Sequence, residues 1–204
     1  MNVKMLTDLS ACKEAIDWFV ENCKDNCSTE EAVDTLYKSN HTEAFEWSNW
    51  ILTRLLTDVN KIKYAVFAAR KVLSIFEKQY PDDLRPRLAI EGVEKFIYDG
   101  SEVNKDACAA AAYAADYAAA NADAADAADA ARAAAYAAVN ADAAYAAYAA
   151  YAAAHAADAA AAYAAHAAAS AAAAYAAAHA DAAAYADITK KIIQYGLKLL
   201  KEQK

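Results

Sequence analysis

Glycine and proline are scarce in this 204-residue chain, which has only Gly92, Gly100, Gly196, Pro81 and Pro86. A glycine-rich phosphate cradle needs several glycines within one turn, so that class of nucleotide site is excluded. No Ser-His-Asp or Cys-His nucleophile arrangement and no dinucleotide fingerprint is present, and an enzyme is not expected. Basic residues are outnumbered: 20 Lys and Arg face 28 Asp and Glu, giving a formal charge of −8. That balance repels DNA, RNA and anionic lipid, so direct nucleic-acid binding is not expected. No apolar leader occupies residues 1–10, so Cys12, Cys23, Cys27 and Cys108 are expected as reduced thiols in a cytoplasmic protein. Cys23 and Cys27 are spaced by one helical turn, but no second Cys/His pair lies at finger-like distance; neither metal nor cofactor is expected. Aspartates interrupt the one long small-residue stretch too often for it to cross a membrane.

What the chain has in abundance is alanine. Residues 107–187 hold 55 alanines among 81 positions, punctuated by Tyr, Asp, His and Asn and by no glycine or proline. Alanine loses no side-chain entropy on entering a helix, so the segment reads as helical. Methyl-covered faces let backbones approach closely, and the tyrosines supply the missing bulk. As one rod the segment would run about 120 Å, against roughly 40–45 Å for a compact chain of this length. Asn121-Ala122-Asp123 recurs as Asn140-Ala141-Asp142, 19 residues on. In each, Asn suits a helix end and Asp the next N-cap, which favours folding back over a single rod.

The large side chains concentrate ahead of this segment: Trp18, Trp47, Trp50 and all five phenylalanines precede residue 97. This half reads as five helices. Leu9 to Asn22 places Cys12, Ala15, Ile16 and Phe19 on one stripe. Ser28-Thr29-Glu30-Glu31 has the form of a capping box. A third helix carries Phe45, Trp47, Trp50, Ile51 and Leu55, and its aromatics predict a central position. Asp58 is expected to cap a long fourth helix that Pro81 ends, and Pro86 opens a fifth that closes at Asp99-Gly100. A last helix from Ile188 aligns Ile192, Tyr195 and Leu199 on a face that must dock, with lysines near the negative end of its dipole. The expected fold is an all-α multi-helix bundle. An aromatic half over 1–103 packs with an alanine-rich antiparallel half over 104–204, the two forming one continuous domain.

Chemistry-bearing residues are thinly spread. His155 and His166 share a helix face but lie roughly 16 Å apart on a straight helix, and His179 and Asp181 diverge around the axis, so none of these share an ion. Asp123, Asp126 and Asp129 drift around a helix as an acidic band that, with Tyr136, Tyr145 and Tyr148, is the expected partner-binding face. Arg132 is the one cation of residues 107–187 and reads as an internal partner for an aspartate or as a ligand-phosphate contact. Arg85 and Arg87 flank Pro86 at a rigid helix entrance, where Asp82, Asp83 or Glu91 are their expected partners and a binding role is the alternative. Alanine-rich helices also occur in ice-binding proteins, but no threonine lies between 107 and 187 to build their flat face.

The run Tyr80-Pro81-Asp82-Asp83-Leu84-Arg85-Pro86-Arg87-Leu88-Ala89-Ile90-Glu91, with Leu6 to Ala15, the Trp47/Trp50 helix and the Ala/Tyr/His-rich helices, resembles bacterial and phage immunity proteins of polymorphic-toxin systems. The resemblance spans almost the whole chain and carries no set of functional residues with it. It implies a non-catalytic inhibitor whose acidic, tyrosine-bearing face docks on a toxin, a nuclease or a defence effector. One alternative is a phage counter-defence protein that mimics nucleic-acid charge or sequesters a small nucleotide; another is a purely structural helical module. The alanine-rich faces also suit association between copies of the chain.

Overall fold

The computed structural model of the chain describes residues 1–99, 167–169, 171–173 and 182–203. Every regular element among them is an α-helix, and the helices pack as an all-α bundle. They are α1 (Val3–Asp8), α2 (Lys13–Asn22), α3 (Thr29–Lys38), α4 (Ala44–Leu55), α5 (Asp58–Gln79), α6 (Arg85–Asp99) and α7 (Ala182–Glu202). The expected boundary at 103–104, the Asn-Ala-Asp repeat and the choice between rod and folded-back segment lie outside the described residues.

Local signals set most of the helix ends. Both halves of the capping box are made: Glu31 N–H donates to Ser28 Oγ at 3.1 Å, and Ser28 N–H donates to Glu31 Oε2 at 2.7 Å. Pro81 follows the end of α5, and Pro86, fully buried, sits in the first turn of α6. The helix expected from Leu9 starts only at Lys13, and a separate short helix precedes it. Asn2 caps the short α1, which closes when Ser10 enters the left-handed region at φ 60°. Ala11 N–H then reaches Leu6 O and Ser10 N–H reaches Thr7 O, both at 2.9 Å, the paired closure of a Schellman turn. Cys12 consequently stands at the N-cap of α2, exposed, rather than on its apolar stripe.

Asp58 does not cap α5 either. Thr57 is the N-cap, its side chain makes no capping bond, and Asp58 is the first helical residue. The missing contact arrives from the far end of the chain. Gln203 Oε1 accepts from Thr57 N–H at 3.0 Å and from Asn60 Nδ2 at 3.1 Å, while Gln203 Nε2 donates to Leu55 O at 2.8 Å. One amide therefore satisfies an orphan carbonyl at the end of α4 and an orphan amide at the start of α5.

The 22-residue α5 is the core's spine, with Ile62, Tyr64, Ala65, Ala68, Ala69, Val72 and Phe76 buried along it. It shares the central place with the Trp47/Trp50 helix α4, which packs on both α3 and α7; the small and large apolar residues of α5 cover more than one face. Helix α6 packs on α5, α7 on α4 and α5, α3 on α4, and α1 on α2. Gly196 lets α7 approach closely: a Cβ there would stand 2.9 Å from both Leu52 Cδ1 and Tyr64 Cε2. Ile188, Ile192 and Leu199 are buried on the docked face, as the periodicity predicts, and Tyr195 stacks on Phe67 with centroids 4.0 Å apart. Ala167, Ala168, Ala171 and Ala172 join the same core, an instance of methyl groups serving close packing.

Candidate functional site

Helices α1 to α4 enclose a cavity of about 390 Å³ that reaches the surface and is walled by all three of the chain's tryptophans. Trp18 comes from α2, and Trp47 and Trp50 come from α4, where a spacing of three residues keeps them on neighbouring positions. Leu6, Phe19, Leu36 and Ile51 supply the apolar remainder of the wall. Trp18 meets Trp47 edge-on, with centroids 6.3 Å apart and planes at 64°, a geometry suited to the ring quadrupoles. His41 lies 4.4 Å from Trp47 and 6.2 Å from Trp18, completing an aromatic corner. The Arg54 guanidinium stands 5.7 Å from the centroid of the Trp50 ring, within cation–π range.

Polar groups are few in this lining. Ser10, Cys12 and Glu46 are exposed, and Ser48 is wholly buried. The Ser48 hydroxyl has no hydrogen-bond partner. Such a site can enclose an apolar or aromatic group. Its volume lies in the usual range for ligand pockets.

A second groove, of about 350 Å³, runs along α5 between α6 and α7. Its floor and walls bring together Lys63, Phe67, Arg70, Tyr98, Tyr195 and Lys198. Lys71 Nζ stands 4.8 Å over the Phe67 ring that Tyr195 covers on its own side. Burial, with Glu202 and Tyr98 nearby, pushes the Tyr195 phenol above its ordinary pKa. Arg70 is held by Glu94, which accepts from its Nε at 2.9 Å and also from Nη2, raising the guanidinium's already high pKa. Lys63 makes no ion pair with any described acid.

Arg85 and Arg87 act as staples. Arg85 binds the Asp83 carboxylate through its guanidinium and donates to it again from its backbone N–H at 3.2 Å; these contacts hold Asp83 below the usual carboxylate range. Arg87 pairs with Glu77 through Nε at 2.6 Å and Nη2 at 2.8 Å, and reaches Glu91 at 3.6 Å. Glu77, on the preceding helix, thus replaces Asp82 among the expected partners and ties the end of α5 to the start of α6. Asp123, Asp126, Asp129, Arg132, Tyr136, Tyr145 and Tyr148, like His155, His166 and His179, lie outside the described residues.

Cys23 ends α2 and Cys27 lies in the turn beyond it, so the helical spacing assumed for them is not realised. Burial, followed by the influence of Cys27, pushes the Cys23 thiol up to about 11. Among the described residues no three His, Cys, Asp or Glu side chains group as metal ligands. No helix there is long and apolar enough to cross a membrane. The tryptophan cavity was hidden from sequence reasoning because four separate helices build it. Its only local trace is the close spacing of Trp47, Ser48 and Trp50.

No family model matches the chain, and no curated protein or solved structure matches it either.

Proposed function

We propose that this chain is a non-catalytic binding protein of the immunity-inhibitor type, which receives an apolar group of a protein partner in the cavity between α1 and α4. The tryptophan wall carries this reading. Half-buried tryptophans around a preformed apolar recess are the side chains that dominate binding free energy at interfaces. The lining is built for enclosure rather than proton transfer, being chiefly aromatic and aliphatic. A formal charge of −8 accelerates encounter with a basic partner such as a toxin or nuclease. Asp123, Asp126, Asp129 and Tyr136 are the first residues to replace when mapping the steering surface beyond the cavity.

The test is binding of the protein products of the adjacent genes, measured by surface plasmon resonance with wild type and with Trp50→Ala and Asp123→Asn variants of unchanged helical content. The reading expects Trp50→Ala to shorten the complex's lifetime and Asp123→Asn to slow association at low salt. Affinity indifferent to Trp50 would overturn it.

A second reading, sequestration of a small nucleotide, draws support from the Phe67/Tyr195 stack beside Lys63 and Lys71. It expects a saturable rise in melting temperature with added nucleotide. A melting curve unmoved by millimolar mono- and dinucleotides would remove it.

A further inference from the structure

Lys63 and Phe67 stand one helical turn apart on the same face of α5, and Tyr195 and Lys198 do so on α7. Two contacts fix the register between these helices: Tyr195 stacks on Phe67, and Asn60 Nδ2 donates to Leu199 O at 3.2 Å. The helices therefore run antiparallel, which brings Lys198 level with Lys63 at one end of the groove between α5, α6 and α7. Toward the other end Arg70 is engaged by Glu94 through two bonds. Lys198 has Glu202 at 3.7 Å, with both side chains well exposed, and Lys63 pairs with no described acid. Three cations and two carboxylates thus line the groove, a local excess of positive charge in a chain whose formal charge is −8. A half-buried ammonium with no anion facing it is desolvated without compensation, and a second ammonium beside it adds repulsion.

Resting on the second reading of function, in which this groove holds a small nucleotide, we infer that the ligand is a nucleoside monophosphate whose one phosphate is held by Lys63 and Lys198. A phosphate monoester carries close to two negative charges at neutral pH, enough to answer both ammonium groups. The phenols of Tyr98 and Tyr195 border the same space and can donate to its oxygens. The base lies along the aromatic surface that Phe67 and Tyr195 build, and stacking of this kind tolerates any base. Selection therefore falls on the number of phosphates. A second or third phosphate finds no free cation in the groove, because Arg70 is committed to Glu94, and its charge presses on Glu94 and Glu202.

The experiment titrates the full chain with adenosine, adenosine monophosphate and adenosine triphosphate in a calorimeter, in buffer free of divalent metal. Wild type is compared with Lys63→Gln and with Lys4→Gln, which makes the same charge change on α1, outside the groove. Thermal melts check each fold. Wild type is expected to bind the monophosphate more tightly than either other probe. Lys63→Gln should cut its preference for the monophosphate over adenosine by about tenfold, the value of one charge-assisted hydrogen bond, and Lys4→Gln should leave it unchanged. Lys198→Gln, at a well-exposed position, should cut the preference in the same direction and decides the matter should Lys63→Gln fail to fold. A ratio of monophosphate to adenosine affinity that is the same in wild type and the groove variants would overturn the phosphate seat while the nucleotide reading stands. A triphosphate bound more tightly than the monophosphate would overturn the selection for one phosphate. If no probe binds at millimolar concentration, the nucleotide reading itself fails and the inference falls with it.

Discussion

Tyr64 donates its phenolic hydrogen to Asn49 Oδ1 over 3.1 Å, joining α5 to α4 through a wholly buried bond. The ring is fully enclosed, and burial pushes the phenol well above its ordinary pKa, so it stays protonated and remains a donor at any working pH. Tyr64→Phe keeps the ring but takes the donor from a buried acceptor. The expected loss is about 1–3 kcal/mol of unfolding free energy, read from urea titration with an unchanged slope.

Gly196 and Gly92 make a matched pair. Both are helical, but a Cβ on Gly196 would press on Leu52 and Tyr64 at 2.9 Å, whereas one on Gly92 would meet nothing within 4 Å. Gly196→Ala should therefore destabilise the chain by about 1–3 kcal/mol despite its gain in helix propensity. Gly92→Ala should stabilise it by up to about 1 kcal/mol. Thermal melts of the two variants that moved in the same direction would contradict the packing of α7 against α4 and α5.

Asp83 supplies an acid-side dependence. Its carboxyl is depressed in the folded chain, chiefly by the hydrogen bond from the Arg85 side chain. The stabilisation is therefore complete above the ordinary carboxylate pKa and disappears as pH falls through the lower folded value. Wild type should be more stable than Asp83→Asn at neutral pH, and the difference should shrink steadily below about pH 4. Parallel urea titrations at neutral pH and at pH 3 would read it, and a difference independent of pH would refute the assignment.

The cysteines should react in a fixed order. Cys12 is exposed, while the Cys23 thiol is pushed up to about 11 by burial and its Cys27 neighbour. Because the thiolate is the reacting species, iodoacetamide at pH 8 should label Cys12 well before Cys23. Labelling of Cys23 should accelerate as pH approaches 11. Peptide mass spectrometry of timed samples distinguishes the sites, and equal rates at pH 8 would overturn the ordering.

Features encoded within a few residues were legible in the sequence: the Ser28/Glu31 box, the stop at Pro81, the start at Pro86 and the docked face through Ile192, Tyr195 and Leu199. Where an unusual residue filled a familiar role, the reading slipped. Ser10 takes the left-handed position that glycine or asparagine usually marks, so the break between α1 and α2 carried no signal. Relationships between distant segments were illegible for a different reason. Periodicity orients a helix but does not say which neighbour it meets, so it did not foretell that Trp18 would face Trp47 or that Glu77 would hold Arg87. The same limit hid the candidate cavity, whose residues were readable only as large core side chains.

Gln203 bonds to Leu55 and Thr57 across 148 and 146 residues of chain. Contacts of such separation close slowly, since the intervening loop must surrender its freedom before the contact returns anything. During synthesis the joint between α4 and α5 must therefore wait, incompletely saturated, until α7 and Gln203 leave the ribosome. The aromatic half is thus denied its last polar lock throughout translation of the alanine-rich stretch.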